Sequence, residues 1–392
     1  MEIAKPSRPA LPRTVWILGI VSLLMDLSSE IYHALLPAFL IVTLGLPVAA
    51  MGALDGIAEA SASIAKLASG RLSDRSRRRK PWILLGYGMA ALSKPLFPLA
   101  TTALPVLGAR FIDRVGKGIR GAPRDAMIAD ETPLEVRGRA FGLRQSLDTV
   151  GAFLAPLAAV GLMILFAGDI RAVFWVAAIP AALSFLFAWG MLRESRDHQG
   201  IAAKMKWGGF RSLSEPVKRL IAVGFLFGLA RFSESFLILK AMDGGLATQW
   251  SPLVLALFNL AFLLLAYPAG HLSDRIAPRH VLLAGVGLLV VADLWLAQAA
   301  SLWAIAAGVV LWGAHMALTQ GIFSRMIADA APDHQRATSF GAFFFVNGIA
   351  ALLSSLGAGL LWDRGGPAET FTAAAAIAVV AGAMLVLLPK RA

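Results

Sequence analysis

The sequence predicts an all-α integral membrane fold, with twelve spanning helices arranged as two pseudo-symmetric six-helix bundles. Three observations predict it. Hydrophobic residues make up 58% of the chain and charged residues only 15%. A soluble domain carries about 45–50% and about 25%, so too little charge is present to cover a water-facing surface. Next, Gly70-Arg71-Leu72-Ser73-Asp74-Arg75 returns 200 positions later as Gly270-His271-Leu272-Ser273-Asp274-Arg275, and Met127-Ile128-Ala129-Asp130 returns 199 positions later as Met326-Ile327-Ala328-Asp329. Two halves built on one plan are the mark of a duplicated membrane bundle. Finally, Lys and Arg crowd one set of inter-helix gaps and are scarce in the other.

A helix needs about 20 mostly apolar residues to cross the hydrocarbon core. Runs of that kind, bounded by charge, Pro or Gly, place the first six spans at 14–43, 48–70, 81–101, 104–126, 138–166 and 170–193. The second six fall at 218–243, 249–270, 279–299, 302–327, 337–362 and 368–389. The fourth is too charged to stand on hydropathy and rests on its apolar counterpart at 302–327. The first is not read as a secretory signal, because Asp26 and Glu30 interrupt it and many similar runs follow. The polar stretch between Arg193 and Lys218 divides the chain into a first bundle (1–193), a linker (194–217) and a second bundle (218–392). One face collects Lys5, Arg8 and Arg13, the run from Arg75 to Lys80, Arg137, Arg139, Arg275, Arg279, Arg336, Lys390 and Arg391. Positively charged loops stay in the cytoplasm, so both termini are expected there, in the inner (cytoplasmic) membrane.

The same features exclude other classes. A net charge of +12 would suggest nucleic acid in a soluble protein, but here the basic residues cap apolar runs, and lipid is the partner expected. The chain has no cysteine, which removes disulfides, thiolate metal sites and Cys nucleophiles. No phosphate-binding G-x-x-x-x-G-K-[ST] loop is present, so no nucleotide is expected. No His and carboxylate cluster has ligand spacing, so neither metal nor other cofactor is expected.

The repeated Gly-x-x-x-Asp-Arg after the second helix of each half resembles the loop motif of the major facilitator superfamily, with Arg77 where Gly is usual. Ala109-Arg110 with Asp113 and Gly116 is similar to that superfamily's fourth-helix motif, with Arg114 where Gly is usual. Gly151-Ala-Phe-Leu-Ala155-Pro156 is similar to the fifth-helix motif of its proton-driven exporters, with Ala155 replacing a Gly and the trailing Gly pair absent. The resemblance spans essentially the whole chain. It implies a transporter, not an enzyme, that works by alternating access as a monomer, with Gly70, Asp74, Arg75, Gly270, Asp274 and Arg275 forming a cytoplasmic gate. It also implies that the first, fourth, seventh and tenth helices line a central cavity.

The charges inside the spans fit such a cavity, because an ionisable group at mid-bilayer must face water or a partner. Asp26, Glu30 and His33 share one helix face, as do Asp55, Glu59 and Lys66. Arg110, Asp113, Arg114, Lys117 and Arg124 form a stripe, Arg144 and Asp148 are four apart, and Arg231 and Glu234 are three apart. The second half is more apolar: Asp113 becomes Trp312, Glu59 becomes Asn259 and Asp148 becomes Asn347, with His315 nearby. Lys94 and Asp293 stand outside these stripes. A carboxylate in a partly dry cavity binds its proton more tightly than one in water, so it can gain and lose that proton near neutral pH. The expected proton-coupling set is therefore Asp26, Glu30, Glu59, Asp113 and Asp148. Cargo is expected against Arg110, Arg114, Lys117, His33, Arg231, Glu234, Asn259, Trp312, His315 and Asn347. The leading expectation is export of an amphipathic small molecule by proton antiport. The alternatives are proton-coupled uptake of a small organic anion or zwitterion, and a sensor or scaffold that moves no cargo.

Overall fold

The computed structural model describes residues 10–76, 78–133, 136–194, 213–332 and 336–387, and every regular element among them is helical. The first bundle comprises α1 (Arg13–Ala38), α2 (Val48–Ser76), α3 (Lys80–Ser93) with the short α4 (Leu96–Leu99), α5 (Ala103–Glu131), α6 (Arg137–Leu165) and α7 (Ile170–Met191). The second comprises α8 (Glu215–Ala230) with α9 (Ser235–Asp243), α10 (Leu253–Arg275), α11 (Pro278–Gln298), α12 (Leu302–Ala330) and α13 (Arg336–Leu387). The expected linker lies almost wholly outside the described residues.

Nine of the described helices are long and apolar enough to cross a bilayer. The ninth, Ser339–Leu387, runs for 49 residues and is long enough for two crossings. It breaks at Gly366, where φ is 74° and Pro367 follows; only glycine takes that conformation without a steric penalty. Two expected spans fall outside the nine for identifiable reasons. The third is divided between α3 and α4 at Lys94 and Pro95, since Pro cannot continue the hydrogen-bond ladder. The fourth, α5, carries too many charges to count as apolar. Pro37 likewise distorts α1, which ends in a π-turn over Phe39–Thr43.

Exposure separates lipid-facing from packed surfaces. On α7, Trp175, Ile179, Leu183, Leu186 and Trp189 are all exposed at three- and four-residue intervals, an apolar stripe that only hydrocarbon would cover. Its opposite face is buried, and there Ser184 Oγ donates to the Val21 carbonyl and Ser28 Oγ on α1 donates to the Ala177 carbonyl.

The bundles meet along α2 and α13. A Cβ on Gly52 would lie 2.1 Å from the Ser355 carbonyl oxygen, and one on Gly56 would lie 2.8 Å from the Leu352 Cα, so the absent side chains set how closely these backbones cross. At the start of α2, the Val48 and Ala49 backbone N–H groups each donate to a different carboxylate oxygen of Asp363 on α13, both at 2.9 Å. This is a helix N-cap supplied by the other bundle. At the far end of the first bundle, Arg79 and Lys80 donate backbone N–H groups to Glu194, and Lys80 Nζ donates to the Leu192 carbonyl. The arginine-rich loop is thereby fastened to the end of α7. Arg13, at the start of α1, reaches Met191 at the same end.

Candidate functional site

Between the bundles lies a cavity of about 440 Å³, walled on one side by charges from α1, α2 and α5. Helical spacing builds this wall. Arg110, Arg114 and Lys117 recur at four and three residues along α5, and Asp55 and Glu59 recur at four along α2, so the two stripes face each other. Asp55 lies 3.5 Å from Arg110, Glu59 lies 3.6 Å from Arg114, and on α1 Glu30 lies 3.3 Å from His33 Nδ1. Lys117 also lines the cavity but has no carboxylate within ion-pair distance among the described residues.

The opposite wall comes from the second bundle. The seventh crossing is interrupted between α8 and α9, and its unwound residues Arg231, Phe232, Ser233 and Glu234 all line the cavity. Broken helices of this kind expose polar backbone only where it borders a cavity. The hydroxyls of Ser233 and Ser235 both donate to Asp55 Oδ2 at 2.6 Å. Asp55 therefore ties the two bundles together while also facing Arg110. Phe258, Asn259 and Phe262 on α10 and Gln320 on α12 complete this side.

A second space of about 710 Å³ continues from Glu59, Arg114 and Lys117 past Asp26 and Lys66 to Gly70 and Gly341. It runs toward the end of α2 that carries the arginine-rich loop. Asp26 faces it with no cation within ion-pair distance among the described residues. Asp148, in the same wall, is held by Arg144 at 2.5 Å and by Arg124 at 4.0 Å. The vestibule extends toward the basic end, and the Asp363 cap joins the bundles at the other.

Several expected site residues sit elsewhere. Asp113 turns away from the cavity to Lys94, 2.9 Å distant, and both are buried. Lys94 Nζ also donates to Ser29 Oγ at 3.0 Å and lies 4.8 Å from the centre of the Tyr32 ring. Trp312 and His315, expected to touch cargo, are fully buried and packed edge to face with ring centres 4.7 Å apart. The reason is polar satisfaction: the Trp312 indole N–H donates to Asp293 Oδ1 at 2.9 Å, inside the second bundle. Asn347 lines a neighbouring space of about 400 Å³ with Phe227 and Phe343. Of the expected gate, Gly70 borders the vestibule, Arg75 is exposed in the last turn of α2, and Gly270 and Arg275 lie at the end of α10. The side chains of Asp74 and Asp274 lie outside the described ones. No group of three His, Asp or Glu residues suited to a metal ion occurs among the described residues.

The sequence profile of the Major Facilitator Superfamily matches residues 18–253 and 244–392. The chain belongs to that superfamily. An uncharacterized MFS-type transporter of Methanocaldococcus jannaschii is 29% identical over 385 residues, covering 96% of this chain and 95% of that protein. The class C tetracycline resistance protein of Escherichia coli is 29% identical over 326 residues, covering 76% of this chain and 78% of its own length. Among solved structures, a point mutant of the nucleoside transporter NupG superposes with a TM-score of 0.80 at 14% identity, covering 95% of this chain and 99% of that one. Such a likeness fixes the Major Facilitator fold. The protein is a multi-pass membrane transporter of a small molecule, not an enzyme.

The expected site gives Asp55 no role although it shares the cavity-facing stripe, and it does not include Phe232, Ser233, Ser235, Phe258, Phe262, Gln320 or Asp363. Asp55 carried a signal, since it shares a helix face with Glu59. The aromatic residues carried none, because an apolar residue in an apolar span reads as lipid-facing or packed with equal ease.

Proposed function

We propose that this transporter works by alternating access, is driven by protons, and takes its coupling proton on Asp26. The position of Asp26 supports the reading. It borders the vestibule with no cation within ion-pair distance among the described residues, Lys117, Arg120 and Arg124 acting on it from further off. Asp55, Glu59 and Asp148 are instead ion-paired and Glu30 is held by His33; Glu234, also without an ion pair among the described residues, lies on the opposite wall of the central cavity. An unpartnered carboxylate next to water can change its protonation without breaking an ion pair, and an ion-paired one cannot. Lys117 and Arg124 lie along the same vestibule, so loading and unloading a proton there alters the field felt by cargo in the upper cavity.

In this reading the basic end faces the cytoplasm, the membrane is the inner membrane, the structure is the inward-open state and one chain is the working unit. The one-sided distribution of Arg and Lys supports the orientation. Export by proton antiport is supported by the Gly151 to Pro156 motif and by the likeness to a tetracycline resistance protein. Uptake is supported by the four cations on the cavity wall.

The test is solute-dependent proton movement in proteoliposomes, read with an internal pH dye. Wild-type protein should move protons with its cargo, and Asp26→Asn should lose gradient-driven accumulation while keeping downhill exchange. Unchanged gradient-driven flux in Asp26→Asn would remove that residue from the mechanism. Solute binding with neither solute nor proton movement in the wild type would favour a non-transporting sensor.

A further inference from the structure

We infer that the cargo is an amphipathic organic anion, moved together with a proton. This rests on the proton-driven reading and deepens it.

The first support is the charge left over in the central cavity. Four cations and four carboxylates line it. Arg110 and Arg114 are matched by Asp55 and Glu59 within the first bundle, and Glu30 is hydrogen-bonded to His33 Nδ1 at 3.3 Å. Lys117, on α5, and Arg231, at the α8–α9 break, have no carboxylate within ion-pair distance among the described residues, and they belong to opposite bundles. Glu234 is three residues from Arg231 yet outside that distance. One anionic group between Lys117 and Arg231 would contact both halves at once, as a ligand that reports on their approach must. A cationic cargo would have one carboxylate without an ion pair, Glu234, to meet against two such cations.

The second support is the shape of the remaining wall. Phe232, Phe258 and Phe262 face the same cavity from the second bundle. A purely polar anion would leave these rings against water, whereas an anion with an apolar body covers them. A cavity of about 440 Å³ is within the size range of sites for drug-sized molecules.

The third support is the sum of charge. Apart from the imidazole of His33, the four cations and four carboxylates of the lining sum to zero when ionised. One proton taken up by the lining or by Asp26 just below it leaves an excess of one positive charge, and one anion restores balance. Each therefore favours binding of the other, by reciprocal linkage. That pairing carries proton and anion in the same direction.

The experiment uses three probes on the full-length protein: naphthalene-2-sulfonate (anion with an apolar body), methanesulfonate (anion without one) and benzyltrimethylammonium (apolar body with a cation). Binding is read by thermal stabilisation of purified protein and proton movement by the internal dye, with protein-free vesicles as the blank. Sulfonates stay ionised, so they do not carry protons across lipid on their own. Naphthalene-2-sulfonate should stabilise most, methanesulfonate weakly and benzyltrimethylammonium not at all. Lys117→Gln and Arg231→Gln should each weaken naphthalene-2-sulfonate binding about tenfold or more, the usual scale for a lost hydrogen bond to a charged group. Phe258→Ala should weaken naphthalene-2-sulfonate and leave methanesulfonate unchanged. Each variant's melt without ligand reports whether it is folded, and either of the two charge variants suffices. Stabilisation by benzyltrimethylammonium equal to that by naphthalene-2-sulfonate, no response to naphthalene-2-sulfonate, or undiminished binding in both charge variants would overturn the inference. Proton movement driven by the cation would sink the cargo class and leave the proton-driven reading standing. Anion binding without proton movement would do the reverse.

Discussion

Asp363 offers the most direct handle on the conformational equilibrium. It belongs to α13, yet its two carboxylate oxygens accept the Val48 and Ala49 backbone N–H groups at the start of α2, each at 2.9 Å. Those donors are among the first N–H groups of a helix and have no intrahelical partner. Replacing a capping side chain by Ala costs about 0.5–2 kcal/mol. The charge at a helix N-terminus adds about 0.3–1 kcal/mol. Asp363 is exposed, which screens the charge, so a total of about 1–2 kcal/mol is reasonable. Because the bond joins the two bundles, in the proposed cycle it exists only while this end is shut, and its full value falls on the inward-open state. Asp363→Ala should therefore shift the population toward the outward-open state by about 5- to 30-fold. The chain contains no cysteine, so spin labels can be placed on Val42→Cys and Ala368→Cys without background. Electron–electron double resonance should show the distance distribution across this end lengthening in Asp363→Ala. An unchanged distribution would mean that the cap holds α2 locally and carries none of the closure.

Three further outcomes follow from the packing. Gly52→Ala puts a Cβ within 2.1 Å of the Ser355 carbonyl oxygen, so it should lengthen the same label distance by forcing α2 off α13; no change would mean the helices slide past each other instead. Lys94→Met leaves Asp113 buried without the partner now 2.9 Å away and should cost about 3–5 kcal/mol, whereas Lys94→Met with Asp113→Leu should recover most of the loss; melting temperatures of the three proteins check this. Trp312→Phe removes the single hydrogen bond seen to Asp293 Oδ1 and should cost about 1–3 kcal/mol of stability. It should leave cargo affinity intact, because Trp312 is buried away from the cavity, and binding measured beside a melt would separate the two effects.

The fold was legible because bilayer crossing constrains sequence strongly: length, hydropathy and the positions of Arg and Lys located the helices within a few residues. The duplication did more. Lys94 and Asp293 fit no charged stripe, but they stand 199 residues apart, and so do their partners Asp113 and Trp312. The same crossing contact is an ion pair in one bundle and a carboxyl–indole hydrogen bond in the other. Sequence offset marks such positions as equivalent but says nothing about which helix each faces. Periodicity likewise put Asp113 on the same stripe as Arg114, although one points toward α3 and the other into the cavity. Helical spacing assigns a face to within about a third of the circumference, and adjacent residues on α5 fall on either side of that limit. Contacts between the bundles were the least legible. Asp55 with Ser233 and Ser235, and Asp363 with Val48, join residues 178 to 315 positions apart, and no local pattern records which of many polar side chains will meet.

Alternating access requires one cavity shared by both bundles and opened by turns to each side of the membrane. Gln320 on α12 lines that cavity, and a single Gln320→Cys in this cysteine-free chain can be challenged with a membrane-impermeant thiol reagent from either face. Reaction is expected from the cytoplasmic face in the otherwise unaltered protein, and increasingly from the opposite face when Asp363→Ala is added. Protection from both faces, or reaction from the cytoplasmic face alone in both proteins, would contradict it.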